Sequence, residues 1–256
     1  MTSRNLSLVR SGATNDSAPI VLLHGFTQTA GCWGPFADHL GERFPIMGID
    51  LPGHGGSTTL RADLQGSAEL IASTIPPSTL VGYSLGGRVA LHLALARPDL
   101  VQRLVLIGAT GGIDDNDERR QRRAADEQLA DHLEDIGVDA FLDEWLAQPL
   151  FASLSSQQSY RDVRRTNSTE GLASSLRLCG TGTQDALWDQ LDQLSMPVLV
   201  LAGTLDEKFT ILGRRLVTAI GANSEFIAID EAGHCAQLEQ PEATASAIVN
   251  WLSQTE

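Results

Sequence analysis

Three side chains that together can activate a hydroxyl group follow predicted strands of this chain, namely Ser84, Asp206 and His234. A serine hydroxyl becomes a base or nucleophile when an imidazole takes its proton. A carboxylate on the other ring nitrogen fixes the tautomer of that imidazole and stabilises the imidazolium. The order Ser, Asp, His differs from the orders of the two main serine-protease families. The set predicts serine-centred catalysis by Ser84, Asp206 and His234.

The local sequence around Ser84 is typical of a reactive serine. Residues 82–86 read Gly-Tyr-Ser-Leu-Gly, preceded by an apolar run and followed by a helix-forming one. This pattern predicts a sharp strand-to-helix turn that exposes the serine hydroxyl, with glycines where a Cβ would clash. Backbone N–H groups beside the turn can bind a developing anion. We predict an oxyanion hole made by the N–H groups of Leu85 and Phe26.

Other titratable residues offer alternatives to this assignment. Asp206 is preferred because it directly follows the sixth strong strand, although it could instead cap the next helix. The alternative acids are Asp185, Asp230 and Glu231, and the alternative bases are His24 and His54. We predict that His24 is a hydrogen-bonded loop residue and that His54 is structural. Cys235, next to His234, is predicted to serve packing because it lacks a base of its own.

Short apolar runs alternate with helix-patterned stretches through most of the chain. Predicted strands cover residues 5–10, 19–23, 46–49, 103–107, 197–202 and 225–229, together with the run before Ser84. This alternation favours an α/β fold with a doubly wound, mostly parallel sheet. Ligands bind at the carboxyl ends of the strands in such sheets, so the three reactive side chains should converge at one edge.

Residues 109–192 interrupt the alternation. Residues 114–147 and 155–178 are helix-patterned, and no convincing buried strand falls in this stretch. We therefore predict a core made of residues 1–108 and 193–256, with residues 109–192 inserted as a helical cap over the sheet.

Composition excludes several classes of partner. A net charge of -14 over 256 residues argues against nucleic acid and anionic membrane surfaces. No apolar stretch approaches the roughly 20 residues needed to span a membrane, and residues 1–17 lack an apolar signal core. The three cysteines are widely spaced without a metal-ligand pattern, which favours free thiols and a reducing cytoplasm. The oligomeric state is left open.

The motifs resemble those of the α/β-hydrolase superfamily along essentially the whole chain. Segments 23–26, 50–57, 82–88 and 205–209 are similar to the 2-succinyl-6-hydroxy-2,4-cyclohexadiene-1-carboxylate synthase family, the MenH-type enzymes of menaquinone biosynthesis. Segments 145–151, 171–177 and 180–182 resemble the cap of that family. The stretch Tyr-Ser-Leu-Gly-Gly-Arg at 83–88 and the cap segments are the specific part of this resemblance.

The resemblance implies a lyase that eliminates pyruvate from a cyclohexene substrate bearing several carboxylates, without a metal or organic cofactor. The substrate is 2-succinyl-5-enolpyruvyl-6-hydroxy-3-cyclohexene-1-carboxylate. By position in the family motifs, the implied substrate-binding residues are Tyr83, Arg88, Arg122, Trp145 and Arg165. Bidentate arginine–carboxylate pairs suit such a small-molecule polycarboxylate. The other arginines of residues 109–192 are expected on the solvated faces of acidic helices.

Two other functions use the same residues. A carboxylesterase or C–C bond hydrolase would employ Ser84 as a covalent nucleophile, and the triad alone does not separate acylation from proton abstraction. A non-enzymatic binding protein on the same fold is the third possibility, although a binder has no need for a complete triad. The arginines of the predicted cap favour the lyase.

Overall fold

Seven strands form one sheet in the computed structural model, which describes residues 5–255. The strands run in the order β1-β3-β2-β4-β5-β6-β7 across the sheet. Their bounds are β1 Leu8–Gly12, β2 Ile20–Leu23, β3 Pro45–Ile49, β4 Ser78–Tyr83, β5 Val101–Ile107, β6 Val198–Gly203 and β7 Ser224–Ile229. Only the pairing of β1 with β3 is antiparallel, and the other five pairings are parallel. The predicted α/β fold with a mostly parallel sheet is confirmed.

Helices cover both faces of the sheet. Their bounds are α1 Gly34–Gly41, α2 Leu64–Ala72, α3 Leu85–Ala96, α4 Asn116–Leu146, α5 Arg161–Arg164, α6 Thr169–Cys179, α7 Glu207–Ile220, α8 Ala236–Glu239 and α9 Pro241–Leu252. Side chains alternate along each strand, so Val21 and Leu23 face the cluster that holds α2, α3 and α7. Ile20 and Leu22 face the opposite cluster, which holds α1, α8 and α9. The central strands are buried on both faces, as their continuous apolar runs predict.

Helices and short helical turns fill the stretch between β5 and β6, and no strand lies in it. Helix α4 is broken at Gly137, whose φ of 77° and ψ of 167° are not helical. Its two halves pack with α6 around a small apolar cluster that includes Leu133, Phe141 and Leu172. Phe26 and Trp145 also touch this cluster, so it continues into the loops above the sheet.

Most strand boundaries differ from the sequence prediction by one or two residues, and two differences are larger. The edge strand β1 spans Leu8–Gly12 rather than residues 5–10, and the helical pattern of 155–178 resolves into α5 and α6. Helix α5 begins after Tyr160, which has a φ of 52°, and α6 begins after its N-cap Ser168. No helix within residues 5–255 is long and apolar enough to cross a membrane.

Candidate active site

Ser84 lies on a strained turn between β4 and α3. Its φ of 49° and ψ of −107° fall where a non-glycine residue is uncommon. The turn needs glycines on both sides of it: a Cβ on Gly82 would lie 2.6 Å from the Gly86 carbonyl oxygen, and one on Gly86 would lie 1.9 Å from the Leu23 carbonyl oxygen. The sequence folds this way because only glycine permits the close approach.

The imidazole of His234 joins the carboxylate and the serine. Its Nδ1 lies 2.8 Å from Asp206 Oδ2, and its Nε2 lies 3.4 Å from Ser84 Oγ. Because an ionised carboxylate only accepts, Nδ1 carries the ring proton and Nε2 is left to accept the serine proton. The Nε2–Oγ distance is loose, as is common for catalytic pairs without substrate. The structure brings the three predicted residues together in triad geometry.

Asp206 performs both roles that its sequence position allowed. Its Oδ1 accepts the backbone N–H of Phe209 at 3.2 Å and so caps α7, while Oδ2 accepts from His234. The carboxylate is buried and therefore held in one orientation. The alternative acids Asp230, Glu231 and Asp185 are exposed at the surface, which leaves Asp206 as the partner of the imidazole.

His24 and His54 are fully buried in the loops after β2 and β3, and both contact backbone groups of these loops. The Leu51 N–H donates to His24 Nε2 at 3.0 Å, so Nδ1 is protonated and donates to the Gly25 carbonyl oxygen at 2.8 Å. This ring ties the loop after β2 to the loop after β3. Burial lowers the pKa of His24 to about 4 and that of His54 to about 3, so both rings are neutral at pH 7.

Two adjoining cavities open beside Ser84. The first, of about 150 Å³, is bounded by Ser84, His234 and side chains of α3, α4 and α6. The second, of about 420 Å³, extends from Ser84 along the loop after β5 and the start of α4. Six residues line both cavities: Ser84, Arg88, Arg122, Thr181, Lys208 and Phe209. Together they provide room for a ligand of several functional groups around the serine.

Arg88 is a buried, positively charged side chain in the wall of both cavities beside Ser84. It lies one helical turn after Ser84 on α3 and lines both cavities. Its guanidinium donates to the Gly180 carbonyl oxygen at 3.3 Å. Burial lowers the pKa of Arg88 from 12.5 to about 10, and the group stays charged at pH 7. No carboxylate among residues 5–255 forms an ion pair with Arg88, and such a buried cation is suited to bind an anionic ligand.

Arg122 lines both cavities from α4. Its Nε donates to Asp126 Oδ1 at 2.7 Å, and the buried Asp126 also accepts the Gly182 N–H at 3.1 Å. Asp126 thereby fixes both α4 and the loop after α6. Its bond engages only the Nε of Arg122, and the residue lines both cavities.

The predicted position of the third arginine needs a correction. Arg165 is about half exposed, pairs with Asp139 at 2.6 Å and does not line either cavity. The preceding residue, Arg164, is 1% exposed and lies in the wall of the first cavity. It donates to the Ser159 carbonyl oxygen at 2.6 Å and to the Thr27 hydroxyl, while its Nη2 is buried without a hydrogen-bond partner. Arg164, and not Arg165, is therefore the arginine of this part of the chain that lines the cavity.

Most of the remaining arginines between β5 and β6 pair with acids of that same stretch of the chain. Arg177 of α6 bonds Glu127, Asp131 and Glu134 of α4 at 2.5–2.9 Å and so fastens the two helices together. The others in pairs are Arg119 with Asp185, Arg120 with Asp117, and Arg161 with Asp139 and Asp143. These contacts leave Arg88, Arg122 and Arg164 as the arginines of the first cavity.

Aromatic side chains close the first cavity. Trp145 packs against Phe26 with ring centroids 5.2 Å apart, and its indole N–H is buried without a partner. Tyr83 also lines the cavity, and its hydroxyl lies 2.9 Å from the sulfur of Cys235. Burial raises the pKa of Cys235 to about 12, which keeps the thiol protonated and agrees with the predicted packing role.

The predicted oxyanion-hole residues both border the serine. Leu85 is the first residue of α3, and Phe26 follows the His24–Gly25 turn held by the Gln28 side chain. Both line the first cavity with Ser84. Their participation in catalysis remains a prediction.

Sequence reasoning missed three residues of this site: Arg164, Lys208 and Phe209. The Phe209 ring packs on the His234 imidazole with centroids 4.4 Å apart, and Lys208 lines both cavities. The sequence could have indicated Lys208 and Phe209, because both lie in the first turn of α7, the helix that Asp206 caps.

A family model described as "Alpha/beta hydrolase family" matches residues 20–247. A protein of Serratia proteamaculans (strain 568), named 2-succinyl-6-hydroxy-2,4-cyclohexadiene-1-carboxylate synthase, is 34% identical over 242 residues. That match covers 91% of this chain and 92% of the relative.

Solved structures agree with the sequence match. MenH from S. aureus superposes with a TM-score of 0.90 at 27% identity and covers 99% of each chain. A thermophilic esterase from Thermogutta terrifontis, with malate bound, superposes with a TM-score of 0.83 at 25% identity, covering 98% of this chain and 93% of the esterase.

Proposed function

Because this chain belongs to the α/β-hydrolase family and, within it, to the 2-succinyl-6-hydroxy-2,4-cyclohexadiene-1-carboxylate synthases, we propose that it eliminates pyruvate from the matching enolpyruvyl cyclohexene substrate. The observation that carries this proposal is the pair of buried guanidinium groups, Arg88 and Arg164, in the wall of a cavity that contains Ser84. Buried charges are costly unless paired. A substrate with several carboxylates supplies the missing partners.

In this proposal Ser84 removes a ring proton. His234 Nε2 accepts the proton of the serine hydroxyl, and Asp206 stabilises the imidazolium that results. The serine oxygen takes the proton of ring carbon C2, and the electrons of that C–H bond form the C2–C3 double bond. The electrons of the former C3–C4 double bond move to form the C4–C5 double bond. The C–O bond to the enolpyruvyl group breaks, and its electrons leave on the oxygen of the pyruvate enolate. The enolate takes up a proton and becomes pyruvate.

Arginine side chains hold the substrate against the serine. Arg88 and Arg122 lie where the two cavities meet, and Arg164 lies on the Phe26 side of the first cavity. This spread of charge allows separate carboxylates of one ligand to be bound at once. Negative charge that develops on the activated substrate is stabilised by these groups and by the N–H groups of Leu85 and Phe26.

Trp145 and Tyr83 complete the proposed substrate site. Trp145 closes the cavity above the serine, and its unpartnered indole N–H can donate to the substrate. Tyr83 supports the wall behind the triad, where its ring lies 5.4 Å from the His234 ring.

We also propose that residues 1–108 and 193–256 act as the core and residues 109–192 as its cap. Support comes from the helices between β5 and β6, which contribute Arg122, Trp145 and Arg164 to the cavity over the sheet. A cytoplasmic location is part of the proposal and is supported by three free, buried cysteines.

The competing function is ester hydrolysis with Ser84 as a covalent nucleophile. It is favoured by one observation, the likeness to the Thermogutta terrifontis esterase. Both reactions use the same triad, so the fold does not decide between them.

A paired assay separates the candidates. Pyruvate release from the enolpyruvyl substrate is followed with lactate dehydrogenase, and hydrolysis of p-nitrophenyl butyrate is measured on the same preparation. We expect a kcat/KM for pyruvate release far above that for the ester. Ester hydrolysis without pyruvate release would establish an esterase. Failure of a fluorophosphonate to label Ser84, together with no turnover, would indicate a binding protein.

A further inference from the structure

Lys208, the only lysine of the chain, lies at the junction of the two cavities. It is in the first turn of α7, two residues after Asp206. Its Nζ lies 5.7 Å from the centre of the Phe209 ring, and that ring packs on His234. Lys208 therefore shares both cavities with Ser84, and its side chain is exposed to solvent.

The charge of Lys208 is available to a ligand. Among residues 5–255 no acid lies within ion-pair distance of it. The other α7 cation of the second cavity, Arg215, is in contrast occupied: it pairs with Asp114 at 2.6 Å and lies over Trp188, 3.7 Å from the ring centre.

Charges in the second cavity are segregated. Asp114, Asp115 and Glu118 line its outer part together with Arg215, whose charge is offset by Asp114. Arg88, Arg122 and Lys208 line the part that it shares with the first cavity. An anion in this space is repelled by the outer acids and attracted to the shared part, next to Ser84. The shared part is therefore the position for a carboxylate close to the bond that breaks.

We infer that Lys208 binds the carboxylate of the enolpyruvyl group and holds this leaving group in the second cavity, an assignment that rests on the proposed function. As the C–O bond breaks, its electron pair moves onto the pyruvate enolate, and the ammonium stabilises the added charge. Buried arginines suit the parts of the substrate that remain bound. An exposed lysine, a compact and strongly hydrated charge on a flexible stem, suits the part that must leave.

Substitution tests this role. Lys208→Met removes the charge and keeps the length, Lys208→Arg keeps the charge, and Arg214→Met removes another exposed cation of α7 that lines neither cavity. Loss of a charge-assisted contact at an exposed site should lower kcat/KM for pyruvate release roughly tenfold in Lys208→Met. Its inhibition constant for added pyruvate should rise by a similar factor. Arg214→Met should stay within about threefold of the wild type. Lys208→Arg, which keeps the charge, should recover most of the activity that Lys208→Met loses.

The uniqueness of Lys208 permits a second measurement. Reductive methylation followed by peptide mass spectrometry reports its accessibility separately from the α-amino group. We expect oxamate, an unreactive analogue of pyruvate, to slow methylation of Lys208 roughly tenfold, and the neutral oxamide to leave it unchanged.

The outcomes distinguish this inference from the proposed function. If the wild-type protein releases pyruvate while Lys208→Met keeps its kcat/KM and its pyruvate inhibition, the role of Lys208 is refuted and the lyase stands. If the wild-type protein releases no pyruvate although fluorophosphonate labels Ser84, the proposed function fails and the leaving-group role fails with it. Equal slowing of methylation by oxamate and oxamide would also refute the carboxylate contact.

Discussion

Replacement of Arg88 by methionine should separate activity from stability. Methionine fills a similar volume and removes the buried charge. If Arg88 is retained to bind a substrate carboxylate, its loss should reduce catalysis and leave the fold intact or strengthened. If it is retained for structure, the fold should weaken instead.

The structure gives the expected sizes. Burial lowers the pKa of Arg88 from 12.5 to about 10, which corresponds to a penalty of about 3 kcal/mol on the charged form in the folded state at pH 7. Against this stands the 3.3 Å bond to the Gly180 carbonyl oxygen, worth about 1.5 kcal/mol. That oxygen keeps two donors from Thr183. Arg88→Met should therefore be more stable than the wild type by about 1–2 kcal/mol.

Catalysis should change in the opposite direction. Loss of one or two charge-assisted hydrogen bonds to a substrate carboxylate costs about 1.5–3 kcal/mol each, so kcat/KM should fall on the order of 10²-fold. Pyruvate release and urea unfolding are measured on the same preparation, with Arg165→Met as the control because Arg165 pairs with Asp139 outside both cavities. An Arg88→Met protein that is less stable than the wild type and equally active would refute this reasoning.

Three further predictions concern the triad, the buried histidines and helix α4. Asp206→Asn should lower pyruvate release roughly 10³–10⁴-fold, because the amide does not stabilise the imidazolium; its thermal midpoint should hardly change, since asparagine also caps α7. Burial lowers the pKa values of His24 and His54 to about 4 and about 3, below the unfolded value of about 6.5. The stabilisation that these neutral rings contribute is complete above pH 6.5 and is lost as the pH falls towards 4 and 3, because the unfolded chain binds protons that the folded protein does not. The urea concentration at the unfolding midpoint should therefore decrease over this range, and it should decrease less steeply in His54→Gln. Gly137→Ala should destabilise the protein by about 1–3 kcal/mol, measured by urea unfolding, because its φ of 77° and ψ of 167° are strained for alanine.

The triad could be predicted from sequence because each member is tied to a strand end. Apolar runs bounded by turn residues locate β4 and β6, and the parallel sheet then brings Ser84 and Asp206 to one edge. The glycines around Ser84 carry a further signal, because the strained turn tolerates no Cβ at Gly82 or Gly86.

The arginines could be predicted only where the helix is regular. Arg122 lies in the continuous first half of α4, so its phase relative to Asp126 follows from the helical repeat. The resemblance to the family motifs implied Arg165, one residue away from Arg164, which lines the cavity. Helix α5 is a single turn that follows Tyr160 in a left-handed conformation, so it has no periodicity that could correct this position. Only the fold shows which of the two arginines is buried.

The rate of pyruvate release by Ser84→Ala tests most directly whether Ser84 is the base. If Ser84, activated by His234 and Asp206, is the base that removes the ring proton, the alanine variant should lose a factor on the order of 10³ or more in kcat. Circular dichroism and the thermal midpoint should match the wild type, because alanine removes only the hydroxyl. A folded Ser84→Ala protein that releases pyruvate at the wild-type rate would show that Ser84 does not remove the ring proton.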